Sequence, residues 1–213
     1  MSARATDPPR DEDDVRRPSN DGWGLLLPAA WWTIDLRDKE ARRGSVAGLV
    51  DRQVGRADDR AGLRHDLRKR LDAVAEQAAA AGGRLMAVSL MRVGEIPVPA
   101  TMTVYRLADD TDLVGQGLHE IEAVIGAEPG SYDALEMAEG PGGPVLRRVT
   151  RRPGPEDLGA AAIEMLVADY WLDPDDGKGL LTFAFSTPLI HAREPFLELF
   201  DAIVASVEFD DAA

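Results

Sequence analysis

The last third of the chain combines two strands with a helix, and this combination most constrains the fold. Residues 162–172 and 180–186 are rich in aromatic and aliphatic side chains, and a polar turn separates them. Pro195 suits the first turn of a helix in which Phe196, Phe200, Ile203 and Val204 share one face. The sequence therefore predicts a β-hairpin packed against a C-terminal amphipathic helix.

The remaining segments extend this sheet-and-helix layer. Predicted strands cover residues 31–36, 84–93, 100–107, 132–138 and 145–150, and predicted helices cover 39–54, about 60–81 and 111–125. Because no alternation of strand and helix is sustained, a parallel sheet is not expected. The predicted class is α+β: a largely antiparallel β-sheet with helices packed on it.

The helix after Asp58 and Asp59 has the clearest amphipathic pattern. Its apolar residues recur at spacings of three and four, and its other face is mostly charged. The apolar set is Leu63, Leu67, Leu71, Val74 and Ala78, and the polar set is Arg64, His65, Arg68, Lys69 and Asp72. We therefore expect a basic helix inserted between the first two strands.

A length of 213 residues with 45% hydrophobic residues suits one filled core. Residues 1–21 are rich in proline and aspartate and contain almost no large apolar side chain, which predicts a disordered tail. The predicted organisation is a tail over 1–21, one domain over 22–209 and a short tail over 210–213.

Composition excludes several classes of function. The chain has no cysteine, which rules out disulfides, thiolate metal sites and thiol nucleophiles. Its 38 acidic and 24 basic residues give a net charge of −14, so we expect no nucleic acid partner. The start of the chain is polar, and the apolar run at 25–32 is too short for a bilayer. We expect a cytoplasmic protein without a membrane partner.

Charge is unevenly distributed. Residues 107–146 contain nine acidic residues and no lysine or arginine, whereas residues 37–70 contain eleven basic residues against six acids. Such segments attract each other or a partner of opposite charge.

Both ends of the domain resemble PsbP-like domains. The opening Leu27-Pro28 and Trp31, leading into Ile34-Asp35-Leu36, is similar to that superfamily's first strand. Tyr170-Trp171-Leu172, the strand at 180–188 and the helix through 198–204 are similar to its closing hairpin and helix. The resemblance implies helices on an antiparallel sheet and a protein-binding role, since its members mostly bind other proteins. The chain also resembles cytosolic actinobacterial proteins of this superfamily, some of which are associated with specialised-secretion loci.

Six residues are candidates for an interface with a protein partner. Adjacent residues of a strand point to opposite faces, so Trp31 enters the core and Trp32 is either exposed or covered by a helix. The other candidates are basic: Arg64, Arg68 and Arg70 on the inserted helix, and Arg147 and Arg151 on one face of a strand. The simpler interpretation of that strand is an edge strand protected by arginine.

No sequence motif indicates catalysis, a cofactor or a metal. No serine-hydrolase elbow, P-loop, dinucleotide fingerprint or zinc-protease motif is present, and the turn at 173–179 lacks the glycine and glutamate of a calcium loop. His65, His119 and His191 each lie near acids, but no two of them have a ligand spacing.

Three hypotheses follow. The first is a non-catalytic protein-binding or scaffold domain, and the second is a small-molecule-binding or hydrolytic domain that uses His119 or His191 in a cavity between helix and sheet. The third is a homodimer held by the acidic and basic segments.

Overall fold

The computed structural model describes residues 15–16, 22–107, 117–128, 130, 132–156, 159–177 and 179–210. These residues form four helices and thirteen strands. The helices are α1 (Lys39–Val54), α2 (Ala61–Ala80), α3 (Leu118–Gly126) and α4 (Arg193–Ala205). The strands are β1 (Val15–Arg16), β2 (Trp23–Gly24), β3 (Leu27–Pro28), β4 (Trp31–Asp35), β5 (Gly83–Ser89), β6 (Arg92–Val93), β7 (Ile96–Pro97), β8 (Thr101–Leu107), β9 (Ala134–Gly140), β10 (Gly143–Pro153), β11 (Glu164–Leu172), β12 (Leu180–Thr187) and β13 (Glu208–Phe209).

Seven strands form one antiparallel sheet in the order β4-β5-β8-β12-β11-β10-β9. The predicted closing hairpin, β11 and β12, lies near the middle of this sheet, with Leu172 opposite Leu181. Its two strands are buried almost throughout, because helices cover both sides of the sheet. The fold is α+β with an antiparallel sheet, as the sequence predicts.

Helix α4 covers one side of the sheet, which we call the α4 face. Phe200 is fully buried there and stacks on Phe185, with ring centroids 4.4 Å apart. Trp23, from the segment before β4, completes this core and meets Phe183 edge to face at 6.0 Å. The predicted apolar face of the C-terminal helix, Phe196, Phe200, Ile203 and Val204, is buried in full.

Helices α1, α2 and α3 cover the opposite side. Helices α1 and α2 pack over β4 and β5, with Ile34, Val46 and Ala75 in the shared core. Helix α3 packs over the other end, where Ile121 meets Leu146 and the surrounding residues. This face therefore carries two separate small cores, whereas the α4 face carries one large core.

The sequence offers Asp35 or Asp38 as the cap of α1 and Gly55 as its end, and Asp38 and Gly55 hold these positions. The Asp38 carboxylate accepts a hydrogen bond from the Ala41 amide at 2.6 Å, which caps the first turn. At the other end Gly55 has φ +80°, and its amide donates to the Asp51 carbonyl at 3.0 Å.

Three details differ from the sequence prediction. Helix α3 begins at Leu118 rather than at residue 111, and residues 108–116 lie outside the described residues. Leu63 of α2 is 54% exposed, because the buried residues of this helix, Ala75 and Ala78, lie in its second half. The connection after the predicted strand 84–93, whose Gly94, Pro97 and Pro99 argue against further pairing, contains β7, which forms a short ribbon with β6.

The predicted tail over 1–21 falls outside the described residues except for Val15–Arg16, which pair with Leu27–Pro28. Residues 211–213 also lie outside the described residues. Within the described part of the chain, every helix is too short or too polar to cross a membrane.

The α4 core predicts a large cost for removing its central ring. We expect Phe200→Ala to lower the free energy of unfolding by about 3–5 kcal/mol, because the cavity between α4 and β12 cannot close. Urea denaturation followed by fluorescence measures this change. The control Val124→Ala, at a site that is 54% exposed, should change stability by about 0.5 kcal/mol or less. A loss below about 1 kcal/mol for Phe200→Ala would contradict this packing.

Candidate docking cleft

The ribbon β6–β7 extends the connection between β5 and β8. It is anchored at its base, where the Ser89 hydroxyl donates to the Val98 carbonyl at 2.8 Å and the Val98 amide donates to the Met91 carbonyl at 2.9 Å. At its tip Val93 pairs with Ile96, and these side chains are 72% and 69% exposed. The ribbon therefore holds two adjacent apolar side chains in water.

A cleft of about 320 Å³ separates the base of the ribbon from α1 and α2. Apolar side chains provide most of its lining: Leu49 and Val50 from α1, Leu67 and Leu71 from α2, and Val88, Leu90, Met91, Pro97 and Pro99 from the sheet and ribbon. Gln53, Ser89 and Arg92 complete it. We call this surface the docking cleft.

The apolar surface of the docking cleft continues onto both of its walls. Leu63 lies one turn before Leu67 on α2, and Val93 and Ile96 adjoin the lining residues Arg92 and Pro97. Five large apolar side chains are exposed among the described residues, and three of them are these neighbours of the cleft. A concentration of exposed apolar side chains beside an apolar cleft indicates an interaction surface.

Two of the predicted basic residues on α2 hold the loop between the helices. The Arg64 guanidinium donates to the Gly55 carbonyl at 3.0 Å and to the Ala57 carbonyl. Arg68 forms an ion pair with Asp51 of α1. Both side chains therefore position α2 against α1, a role that their sequence pattern did not reveal.

Arg70 has a different position. It is exposed, and it lies three residues after Leu67 and seven after Leu63, so it shares the side of α2 that carries these leucines. Arg92 of the ribbon lines the cleft with half of its side chain exposed, and Arg56 in the loop before α2 is 87% exposed. Arg92 also contacts Glu95, and Arg56 lies 3.5 Å from Asp51. These three exposed arginines thus lie on the elements around the cleft, two of them beside carboxylates.

Trp32 lies beneath α1 and not on the open surface. Its indole N–H donates to the carbonyl and the hydroxyl of Ser45, both at 3.1 Å. A Cβ atom at Gly48 would lie only 3.0 Å from the Trp32 ring, so this glycine permits the close approach of helix and ring. Trp31 points to the other face and is 1% exposed, which confirms the predicted alternation.

Arg147 and Arg151 lie at the far end of the sheet, on the α4 face. Arg147 donates to Asp201 of α4 at 2.6 Å and also pairs with Glu136, and Arg151 pairs with Asp133 at 2.7 Å. The interpretation of their strand as an edge strand is wrong at Arg147, because residues 143–149 of β10 pair with β9 on one side and with β11 on the other. At Arg151 the strand pairs with β11 alone.

A second depression, of about 290 Å³, lies between the β9–β10 hairpin and α4. Its polar groups bind one another: the Tyr170 hydroxyl donates to Asp201 at 2.8 Å, and Arg147 bridges Asp201 and Glu136. Burial, aided by the Asp201 carboxylate, raises the pKa of the Tyr170 hydroxyl well above its ordinary value of 10.0. Tyr170 therefore remains a neutral hydrogen-bond donor, and the network fixes α4 to the sheet.

The three histidines are exposed. His119 Nδ1 lies 3.6 Å from a Glu122 carboxylate oxygen on the outer side of α3, with 81% of its side chain exposed. None of the three is enclosed between a helix and the sheet, as a hydrolytic base in a helix–sheet cavity would be. The structure therefore gives no support to that version of the hydrolytic hypothesis.

The sequence prediction missed the apolar half of the docking cleft. Gly94 and Pro97 predict the end of strand pairing, which assigns Val93 to the strand at 84–93 and Ile96 to the connection, and so the exposed pair is not recognised. The available signal was Ile96 in a connection, where polar residues are usual.

The roles of the basic residues on α2 predict different effects of charge reversal. We expect Arg68→Glu to lower the free energy of unfolding by about 1–2 kcal/mol, because it removes an ion pair and places a second carboxylate beside Asp51. Arg70→Glu should change it by less than about 0.5 kcal/mol. Urea denaturation of both variants measures the difference, and equal effects would contradict the Arg68–Asp51 contact.

The raised pKa of Tyr170 predicts a dependence of stability on alkaline pH. Above about pH 10 the unfolded chain loses this proton while the folded chain keeps it, so the folded state binds more protons and stability falls as pH rises. The slope for one group is about 1.4 kcal/mol per pH unit. Tyr170→Phe should therefore show a shallower loss of stability above pH 10 than the wild type in urea denaturation. Equal slopes would contradict the burial of a protonated hydroxyl.

Comparison with known proteins adds no family to this description. No protein-family model matches the chain, and no curated protein is similar enough in sequence to be a relative. The resemblance to PsbP-like domains stays a prediction, and the case for function depends on the geometry of the docking cleft.

Proposed function

We propose that this protein is a non-catalytic accessory domain of the bacterial cytosol that binds another protein through the docking cleft. The observation that carries the proposal is the exposed apolar pair Val93 and Ile96 at the rim of an apolar cleft. A partner is the simplest reason for a stable ribbon to hold both side chains in water.

The energetics suit a specific but moderate interaction. Burial of the exposed parts of Leu63, Val93 and Ile96 stabilises a complex by roughly 1 kcal/mol each, and filling of the cleft adds to this. Loss of translational and rotational freedom opposes these gains. The walls are built on α2 and on a ribbon that backbone hydrogen bonds hold in place, so little ordering of the chain is needed.

The resemblance to PsbP-like domains supports the same proposal, since that superfamily consists mostly of proteins that bind other proteins. We therefore also propose that the chain is a member of this superfamily. In this member α2 is an added basic helix, and it forms one wall of the cleft. A link to specialised secretion belongs to the same proposal.

Photo-crosslinking in bacterial cells that produce the protein tests this function. A photoreactive phenylalanine derivative replaces Val93 at the tip of the ribbon, and in a matched control it replaces Val124, which is exposed on α3. We expect an adduct of one defined mass from position 93, its loss when Ile96→Asp is added, and no such adduct from position 124.

Two results would overturn the proposal. The first is the absence of any adduct from position 93. The second is the same set of adducts from positions 93 and 124, since a general surface and not the cleft would then be reactive.

A further inference from the structure

We infer that the occupant of the docking cleft is an acidic amphipathic helix of a partner protein. This inference rests on the proposed function and names the chemistry of the partner. Its support comes from the shape of the apolar lining, the bonding of the walls and the distribution of charge.

The apolar lining is elongated along α2. Leu63, Leu67 and Leu71 follow one another at intervals of four residues, so they form a stripe about 12 Å long parallel to the helix axis. The ribbon forms the opposite wall with Met91 and Pro97. A groove of this form accepts one apolar stripe of a second helix, with side chains at i, i+4 and i+7.

The walls are less suited to an extended peptide. A bound strand gains much of its affinity from main-chain hydrogen bonds to an open sheet edge. One wall is α2, whose main-chain groups are bonded within the helix, and the strands of the ribbon are only two residues long. Contacts in the cleft are therefore made mainly by side chains, which favours a helix.

Charge selects an acidic helix. Residues 52–70 contain seven basic and three acidic residues, which leaves 35 acidic and 17 basic residues in the rest of the chain. An acidic segment is thus attracted at the cleft and repelled elsewhere, which favours one docking position. Arg70 is an exposed cation on the wall formed by α2. Arg92 and Arg56 are also exposed, and each lies beside a carboxylate, Glu95 and Asp51 respectively.

A second copy of the chain fits the cleft less well. Its own acidic amphipathic helix is α3, but Leu118 and Ile121 of that helix are already buried in its own core. Only Val124 is an exposed large apolar residue of α3.

Fluorescence anisotropy with a labelled synthetic peptide tests the inference. The probe is a helix of about 18 residues with leucine at i, i+4, i+7 and i+11 and glutamate at most other positions. We expect it to bind the full chain, more weakly at high salt. The same helix with lysine in place of glutamate should not bind.

Charge reversal in the protein supplies the matched comparison. Arg70→Glu combined with Arg92→Glu should weaken binding of the acidic probe about tenfold. Lys69→Glu, the same change on the opposite side of α2, should weaken it less than about threefold. Ile96→Asp should weaken it through the apolar contact, whereas Val124→Asp should not.

Three results would overturn the inference. The first is that the acidic and basic probes bind equally well, or that neither binds. The second is that the combined Arg70→Glu and Arg92→Glu changes weaken binding no more than Lys69→Glu does. The third is concentration-dependent association in sedimentation that Val93→Asp abolishes, because a second copy would then occupy the cleft. If either of the first two results is found while position 93 still gives adducts, the proposed function stands. Only the identification of the occupant as an acidic helix is then wrong.

Discussion

Burial of the central hairpin on both of its faces is the constraint on which the rest of the structure depends. Phe183 and Phe185 of β12 pack under α4, while Thr182 and Trp171 of the same hairpin are buried toward the other side. Strands buried on both sides need helices on both sides, and three helices, α1, α2 and α3, share the side opposite α4.

The docking cleft is a consequence of this arrangement. The buried residues of α2 lie in its second half, so its first turns extend past the core and expose Leu63. The ribbon extends the sheet beside them. The two projections enclose an apolar space that neither could form alone, and Arg64 and Arg68 hold the helix in position through the loop at 55–57 and Asp51. On this one helix Arg64 and Arg68 stabilise the fold, whereas the neighbouring Arg70 is available to a partner.

Local signals account for the parts of the fold that could be predicted. Asp38 and Gly55 mark the ends of α1, and the spacing of Phe196 and Phe200 marks the buried face of α4. Non-local contacts account for what could not. Periodicity identifies the apolar stripe of α2, but only the position of the core beneath it decides that Leu63 is uncovered. Likewise Arg147 meets Asp201, 54 residues away, and no pattern within the strand indicates that partner.

The pairing of β2 with β13 also determines how the domain responds to tension. Glu208 lies opposite Gly24, and the Asp210 amide donates to the Gly22 carbonyl at 2.9 Å, so the chain at residue 22 and the chain at residue 210 lie side by side. Force applied at positions 22 and 210 acts in the unzipping geometry. It breaks the hydrogen bonds between β2 and β13 one after another, whereas a shear geometry would load them all at once. This small ribbon therefore opens at low force, before the load reaches the seven-stranded sheet.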